Sequence, residues 1–233
     1  MSETVAFVGA AGGVGTTRVT LSCAELLARN GHDTAVLDAA YGTQGLADRI
    51  SGPIDPDMTR LCLDETPLEG GLIGRSIDGA GRLAVCPAHA PFGRLAEAKT
   101  TAAAERFESR IDEATRAFEY VLVDTPPIAA NQATAAATTA DTVAVVCDGA
   151  RAESAIPRTA DRLTDIGTDR DVTVVTHTSE HPDADVSVPS LDAEPPVVDA
   201  TAAGELADVI EAVVGVRIEP ETADGLLSEL PFK

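Results

Sequence analysis

VAFVGAAGGVGTTRVTLSCAELLARNGHDTAVLD, residues 5–38, holds two strands, a turn and a helix in sequence order. It opens with a short apolar run of strand character, and a glycine-rich turn follows at once. Residues 17–29 space their apolar positions as one helical face, which Asn30-Gly31 closes as a C-cap pair. Residues 34–38 form a second apolar strand that ends in an acid. Gly9, Gly12, Gly13 and Gly15 carry no Cβ, so the turn can tighten and a ligand can approach its backbone. The helix that starts near Thr16 directs its unbonded N–H groups and positive dipole end at the same place. Strand, turn and helix N-terminus together predict an anion site, with phosphate as the anion.

The pattern continues outward from there. Short apolar runs recur at 5–8, 34–38, 83–86, 120–124, 142–147 and 172–176, and segments with helical spacing stand at 17–29, 102–118, 152–166 and 201–214. Runs this apolar are strands covered on both faces. Their alternation with helices predicts an α/β fold, a doubly wound, mostly parallel sheet with helices on both faces. Residues 181–196, HPDADVSVPSLDAEPP, are acidic and proline-rich and read as a surface connection.

At 233 residues the chain is long enough for a full core, and the expectation is a single domain. Its core should span about residues 4–214, with 215–233 as a C-terminal extension. Acids outnumber bases by 38 to 17, giving a net charge of −21. That balance argues against a sequence-independent grip on DNA, which depends on Lys and Arg neutralising phosphates. Only Lys99 and Lys233 are lysines, and acids are spread along the whole chain among abundant Ala, Val and Thr. Such a composition resembles proteins of salt-in halophiles. Cys23, Cys62, Cys86 and Cys147 lie far apart beside apolar runs, without metal-ligand spacing, as reduced core cysteines of a cytoplasmic protein would. No run approaches the length of a membrane span.

The glycine turn admits two readings. Ala11-Gly12-Gly13-Val14-Gly15-Thr16-Thr17-Arg18 resembles the deviant P-loop of the MinD/ParA superfamily, K-G-G-x-G-K-T-T. The resemblance implies Gly12, Gly13, Val14 and Gly15 as a phosphate cradle, Thr16 and Thr17 as hydroxyl ligands, and Thr17 as a Mg²⁺ residue. Ala11 and Thr16 stand where that motif has lysines, whose charge serves the phosphates. Arg18 either restores a positive charge or is a solvated first-turn arginine. GAAGGVG also resembles the dinucleotide turn of malate dehydrogenases and some short-chain dehydrogenases. Asp38 then follows at close to the roughly 20-residue offset of a ribose-binding acid.

Tyr120-Val121-Leu122-Val123-Asp124-Thr125-Pro126-Pro127 discriminates between them. It resembles the Walker B/switch II motif of MinD/ParA proteins and bacterial tyrosine kinases. A strand-end carboxylate beside a P-loop can hold Mg²⁺ through water, and prolines stiffen the loop that follows. Asp38-Ala39-Ala40 resembles that family's switch I, D-x-D, with Asp38 as the switch acid and Ala40 replacing the acid that positions the attacking water. Thr176 and His177 stand where an Asn usually reads adenine. No Y-x-x-x-K accompanies the dehydrogenase reading.

The resemblance runs in order from residue 5 to about 214, and GGVGTT is closest to the pilus-positioning CpaE/TadZ-like branch. It implies a divergent MinD/ParA-like regulator of positioning, partitioning or assembly, a homodimer with a protein partner. ATP would lie on Gly12, Gly13, Val14, Gly15, Thr16, Thr17 and Arg18, with Mg²⁺ at Thr17 and Asp124, and hydrolysis would be weak or lost. The alternative is an NAD-binding Rossmann oxidoreductase with Asp38 on ribose. From residue 205 onward Arg217 and Lys233 are the only bases, which predicts no membrane anchor, because a helix on anionic lipid needs a basic face. Residues 219–230 read as an amphipathic helix.

Overall fold

The computed structural model describes residues 2–64, 66–191 and 202–219. The chain runs β1 (Glu3–Gly9), α1 (Thr16–Arg29), β2 (Thr34–Asp38), α2 (Met58–Leu63), β3 (Ile73–Arg75), β4 (Leu83–Cys86), α3 (Phe92–Glu97) and α4 (Thr101–Thr115). It continues through β5 (Tyr120–Thr125), α5 (Asn131–Thr139), β6 (Thr142–Asp148), α6 (Ala152–Asp165), β7 (Val172–Thr176), β8 (Val186–Val188) and α7 (Ala203–Val214). The strands form one sheet in the order β3-β4-β2-β5-β1-β6-β7-β8. Every adjacent pair is parallel except β3 with β4, at one edge. This is the doubly wound, mostly parallel sheet that the apolar runs predict.

Strand alternation assigns the two faces. Along β1, Val5 and Phe7 join a core layer shared with α1 and α7, whereas Ala6 and Val8 face α5 and α6. On that second face α2 and α4 cover the β2–β5 half, where Leu61, Phe107 and Ile111 pack with Leu37 and Val123. Each such large apolar side chain, fully buried, contributes about 1.5–3 kcal/mol. α1 ends as its sequence predicts, since Gly31 takes φ +94° and Asn30 Nδ2 donates to Leu26 O at 2.9 Å.

Two strands lie where no strand is expected. β3 is three residues long, too short for a periodic signal. β8 falls inside the segment read as a surface connection, and that reading is corrected for Val186–Val188. Here Asp185 Oδ2 accepts the Thr173 N–H at 2.7 Å and Val188 is fully buried, so one side-chain bond and one apolar residue secure the edge strand. The helix expected over 102–118 spans Thr101–Thr115, with the Thr100 hydroxyl accepting from Ala103 N at its start. Residues 192–196 of the expected surface connection, residue 201 of the expected helix over 201–214, and residues 220–230 of the expected amphipathic helix lie outside the described residues.

The winding reverses beside β1. α1 carries the chain from β1 towards β2 across one face, and α6 carries it from β6 to β7 across the other. The loops after β1 and β6 therefore leave the sheet towards opposite faces, and beside such a reversal open α/β sheets bind ligands in the crevice beyond the C-terminal ends of their strands.

Candidate functional site

The β1–α1 loop occupies that crevice. Gly13 and Gly15 have φ of +75° and +88°, a region that an L side chain enters at a cost of about 1–2 kcal/mol. Gly15 is the N-cap of α1 and no side chain caps the helix, so its first N–H groups are left for an anion. A Cβ on Gly9 would lie 2.7 Å from Thr16 Oγ1, which shows how closely the loop folds over the strand end. Two side chains hold the loop from the β6–β7 side. Thr176 Oγ1 donates to Val14 O at 2.7 Å, and Arg151 Nη1 donates to Gly12 O at 3.0 Å while pairing with Asp148.

Thr17 Oγ1 donates to Asp124 Oδ2 at 2.6 Å. Asp124 stands opposite Asp38 in the β2–β5 register, and both carboxylates are buried. Burial raises the Asp38 carboxyl above its ordinary range and the charge of Asp124 raises it further. Burial raises Asp124 too, opposed by the Thr17 hydroxyl and by the positive charge of Arg49. A cation would lower the cost of ionising both. Asp38 Oδ1 accepts the Ala40 N–H at 2.7 Å and Oδ2 the Ala88 N–H at 3.0 Å.

A cavity of ≈ 340 Å³ opens over the loop, and Gly12, Gly13, Val14, Gly15, Thr16, Thr17, Arg18 and Asp124 all line it. Ala11 and Ala40 line it as well, so the positions that lack a lysine or an acid (11, 16 and 40) all face the same space. Asp38 is not in the cavity wall; it stands behind Asp124 at the end of β2. Arg18 is not the solvated arginine of one reading. It is only 9% exposed, and its charge acts on Glu25, two turns along α1. His177 takes φ +59° just past β7, with its ring beside Gly15.

Sequence reasoning missed Arg49, which lines the cavity, and Arg151, which grips the loop. Arg49 has no local signature. Arg151 had a faint one, an arginine three residues after a strand-end acid.

The dinucleotide alternative is corrected by the fold. β5 lies between β1 and β2, whereas a dinucleotide-binding sheet places its second strand directly beside the first. Asp38 is also fully buried, is not in the cavity wall, and holds the Ala40 and Ala88 N–H groups, so its carboxylate is not presented to a ribose there.

The oxygen donors Thr17 and Asp124 suit a hard cation such as Mg²⁺. The left-handed glycines over an uncapped helix end suit a phosphate. A family model described as an AAA domain matches residues 2–165. The chain belongs to this AAA-domain family. The AAA domain is similar in structure to the cell division ATPase MinD of Pyrococcus furiosus (17% identity, TM-score 0.69, covering 97% of this chain and 94% of that one). It is similar to cobyrinic acid a,c-diamide synthase of Mycobacterium smegmatis with bound ADP and magnesium (16% identity, TM-score 0.71, covering 95% and 100%). A plasmid partition protein of Borrelia burgdorferi bound to AMPPNP matches at 11% identity and TM-score 0.72, covering 91% and 97%. No curated protein matches the chain. The fold is the MinD/ParA type of P-loop fold. Among the described residues no helix is long and apolar enough to cross a membrane.

Proposed function

We propose that this AAA domain is a divergent nucleotide switch of the MinD/ParA type. It binds ATP with Mg²⁺, hydrolyses it weakly or not at all, and acts in the cytoplasm as a regulator of positioning, partitioning or assembly. One observation carries the reading: the left-handed Gly13–Gly15 turn sits directly on α1, and the Thr17 hydroxyl of that helix meets the buried Asp124 carboxylate at 2.6 Å. ADP with magnesium and AMPPNP in the mycobacterial and Borrelia neighbours support it.

Gly12, Gly13, Val14 and Gly15 would present backbone N–H groups to the phosphates, and Thr16 and Thr17 would add hydroxyls. Thr17 and Asp124 would hold Mg²⁺, whose chemistry is to neutralise phosphate charge. Arg151 and Thr176 keep the loop in shape from below. Weak turnover follows from the cavity wall, where Ala11, Thr16 and Ala40 supply neither cation nor acid. Each electrostatic group missing from a phosphoryl-transfer site costs orders of magnitude in rate. Two copies joined at this face would form the nucleotide-dependent homodimer, and a protein partner would read its state.

Thermal unfolding in molar KCl with Mg²⁺ tests the reading, comparing ATP, ADP, NAD⁺ and no ligand. A ligand that binds only the folded chain raises the midpoint. ATP is expected to raise it, with the rise abolished in Gly15→Val; stabilisation by NAD⁺ alone overturns the proposal. Phosphate release no faster than in Asp124→Ala is expected, and clearly faster release refutes weak turnover. Sedimentation with and without ATP reports the dimer.

A further inference from the structure

Positions 11 and 16 leave the phosphate cavity without a lysine, so a cation for the phosphates must come from elsewhere in its wall. Among the described residues two charged side chains of that sign line the cavity, Arg18 and Arg49. Arg18 is nine-tenths buried in the first turn of α1 and acts along the helix on Glu25. Arg49 belongs to a different element. It ends a short 3-10 turn, Ala47–Arg49, and its backbone is fixed at both groups: the N–H donates to Leu46 O at 3.1 Å and the carbonyl accepts from Arg75 Nη1 at 2.9 Å. Its side chain is half-buried, and among the described residues its guanidinium makes no hydrogen bond or ion pair. The charge nonetheless reaches Asp124, whose ionised form it favours.

We infer that Arg49 is the phosphate-binding cation of this site, delivered from the segment after β2 in place of the lysines absent from the glycine loop. A guanidinium offers a planar fork of donors that fits phosphate oxygens bidentately, and it stays charged at any working pH. Its anchored backbone and uncommitted side chain suit it to this role. Without ligand the charge rests in the field of Asp124. With phosphate and a cation bound, Thr17 and Asp124 would hold the cation and Arg49 would hold the phosphate. Arg49 reaches the cavity from the segment after β2 and not from the glycine loop, so it should serve a phosphate that the loop N–H groups leave over, and so favour a nucleoside triphosphate over a diphosphate.

The inference rests on the nucleotide reading, and titration calorimetry separates the two. Wild type, Arg49→Gln and Arg49→Lys are each titrated with Mg·ATP, Mg·ADP and inorganic phosphate, and their unliganded unfolding midpoints are compared. Arg49→Gln keeps most of the side chain's length and, with no hydrogen bond or ion pair of the guanidinium to lose among the described residues, is expected to keep the midpoint. Its affinity for Mg·ATP should fall about ten- to a hundredfold, the worth of one charged hydrogen-bonding group. Mg·ADP should fall less, and Arg49→Lys should recover part of the ATP affinity. Unchanged ATP affinity in Arg49→Gln overturns the inference and leaves the nucleotide reading standing. Equal losses for ATP and ADP in both variants mark a structural role for Arg49 and also overturn it. Stronger wild-type binding of inorganic phosphate than of either nucleotide makes the site a free-anion site, against both readings. Failure of the wild type to bind any of the three removes the nucleotide reading and this inference with it.

Discussion

Replacing Gly12 and Gly15 by alanine, one at a time, separates a glycine required by the backbone from one required by the ligand. Gly15 has φ +88°, and an added Cβ would find its nearest atom at 3.8 Å, on Thr176. Sterics therefore add little, and the cost is the left-handed backbone itself, about 1–2 kcal/mol. For a chain of this length about 1 kcal/mol moves the unfolding midpoint by about 2–4 °C, so Gly15→Ala should lower it by about 2–8 °C. Gly12 is outside the left-handed region, and a Cβ there would meet nothing within 4 Å. Gly12→Ala should be neutral or stabilising by up to about 1 kcal/mol, since alanine restricts the unfolded chain. The empty space at Gly12 belongs to the cavity wall, however, so a methyl group there should shrink the stabilisation by Mg·ATP. Scanning calorimetry on both variants, with and without Mg·ATP, measures all of this. An unchanged midpoint for Gly15→Ala, or equal destabilisation by the two substitutions, would show that the left-handed backbone at Gly15 carries no such cost.

Two further outcomes follow from the buried polar groups. Asp38 and Asp124 have folded pKa values raised above the ordinary carboxylate value of 3.8, Asp38 to about 8 and Asp124 to about 6. Below 3.8 both states are protonated and nothing is lost; as pH rises towards 8 the unfolded chain ionises first and the Mg²⁺-free fold loses stability. Urea unfolding from pH 4 to 8 should show that decline, and Asp124→Asn, which removes the like charge, should flatten it; the same slope in both proteins counts against the paired carboxylates. Thr176→Val removes the hydroxyl that donates to Val14 O at 2.7 Å and lies 3.2 Å from Cys147 O. It should cost about 1–3 kcal/mol in urea unfolding, the penalty for leaving buried acceptors unpaired, and an unchanged urea midpoint would show that the hydroxyl does not hold the loop.

Residues 5–38 were legible because everything that shapes them is local. Apolar spacing sets strand and helix, glycine permits the turn, and Asn30-Gly31 ends α1, all through contacts within a few residues. The same local logic found the six longer strands, but not β3 and β8, which are too short for any period to register. It read residues 181–196 by composition, where one buried valine and one aspartate bond were enough to make an edge strand.

The site depends on how distant segments meet. Asp38 faces Asp124 only because β5 inserts between β1 and β2, an arrangement that crossover connections create and no motif spells out. That insertion also excluded the dinucleotide reading, which the glycine turn alone left open. Arg49 and Arg151 are ordinary residues in sequence, and Thr176 stands out there only as the place of a base-reading Asn; Arg151 and Thr176 hold a loop built by another segment, and Arg49 lines the cavity over it. Strands, helices and the glycine turn can be read along the chain, because backbone propensity and side-chain period act over short separations. Which charges share a cavity emerges with the packed sheet, because electrostatics and burial depend on distance in space and not on separation along the chain.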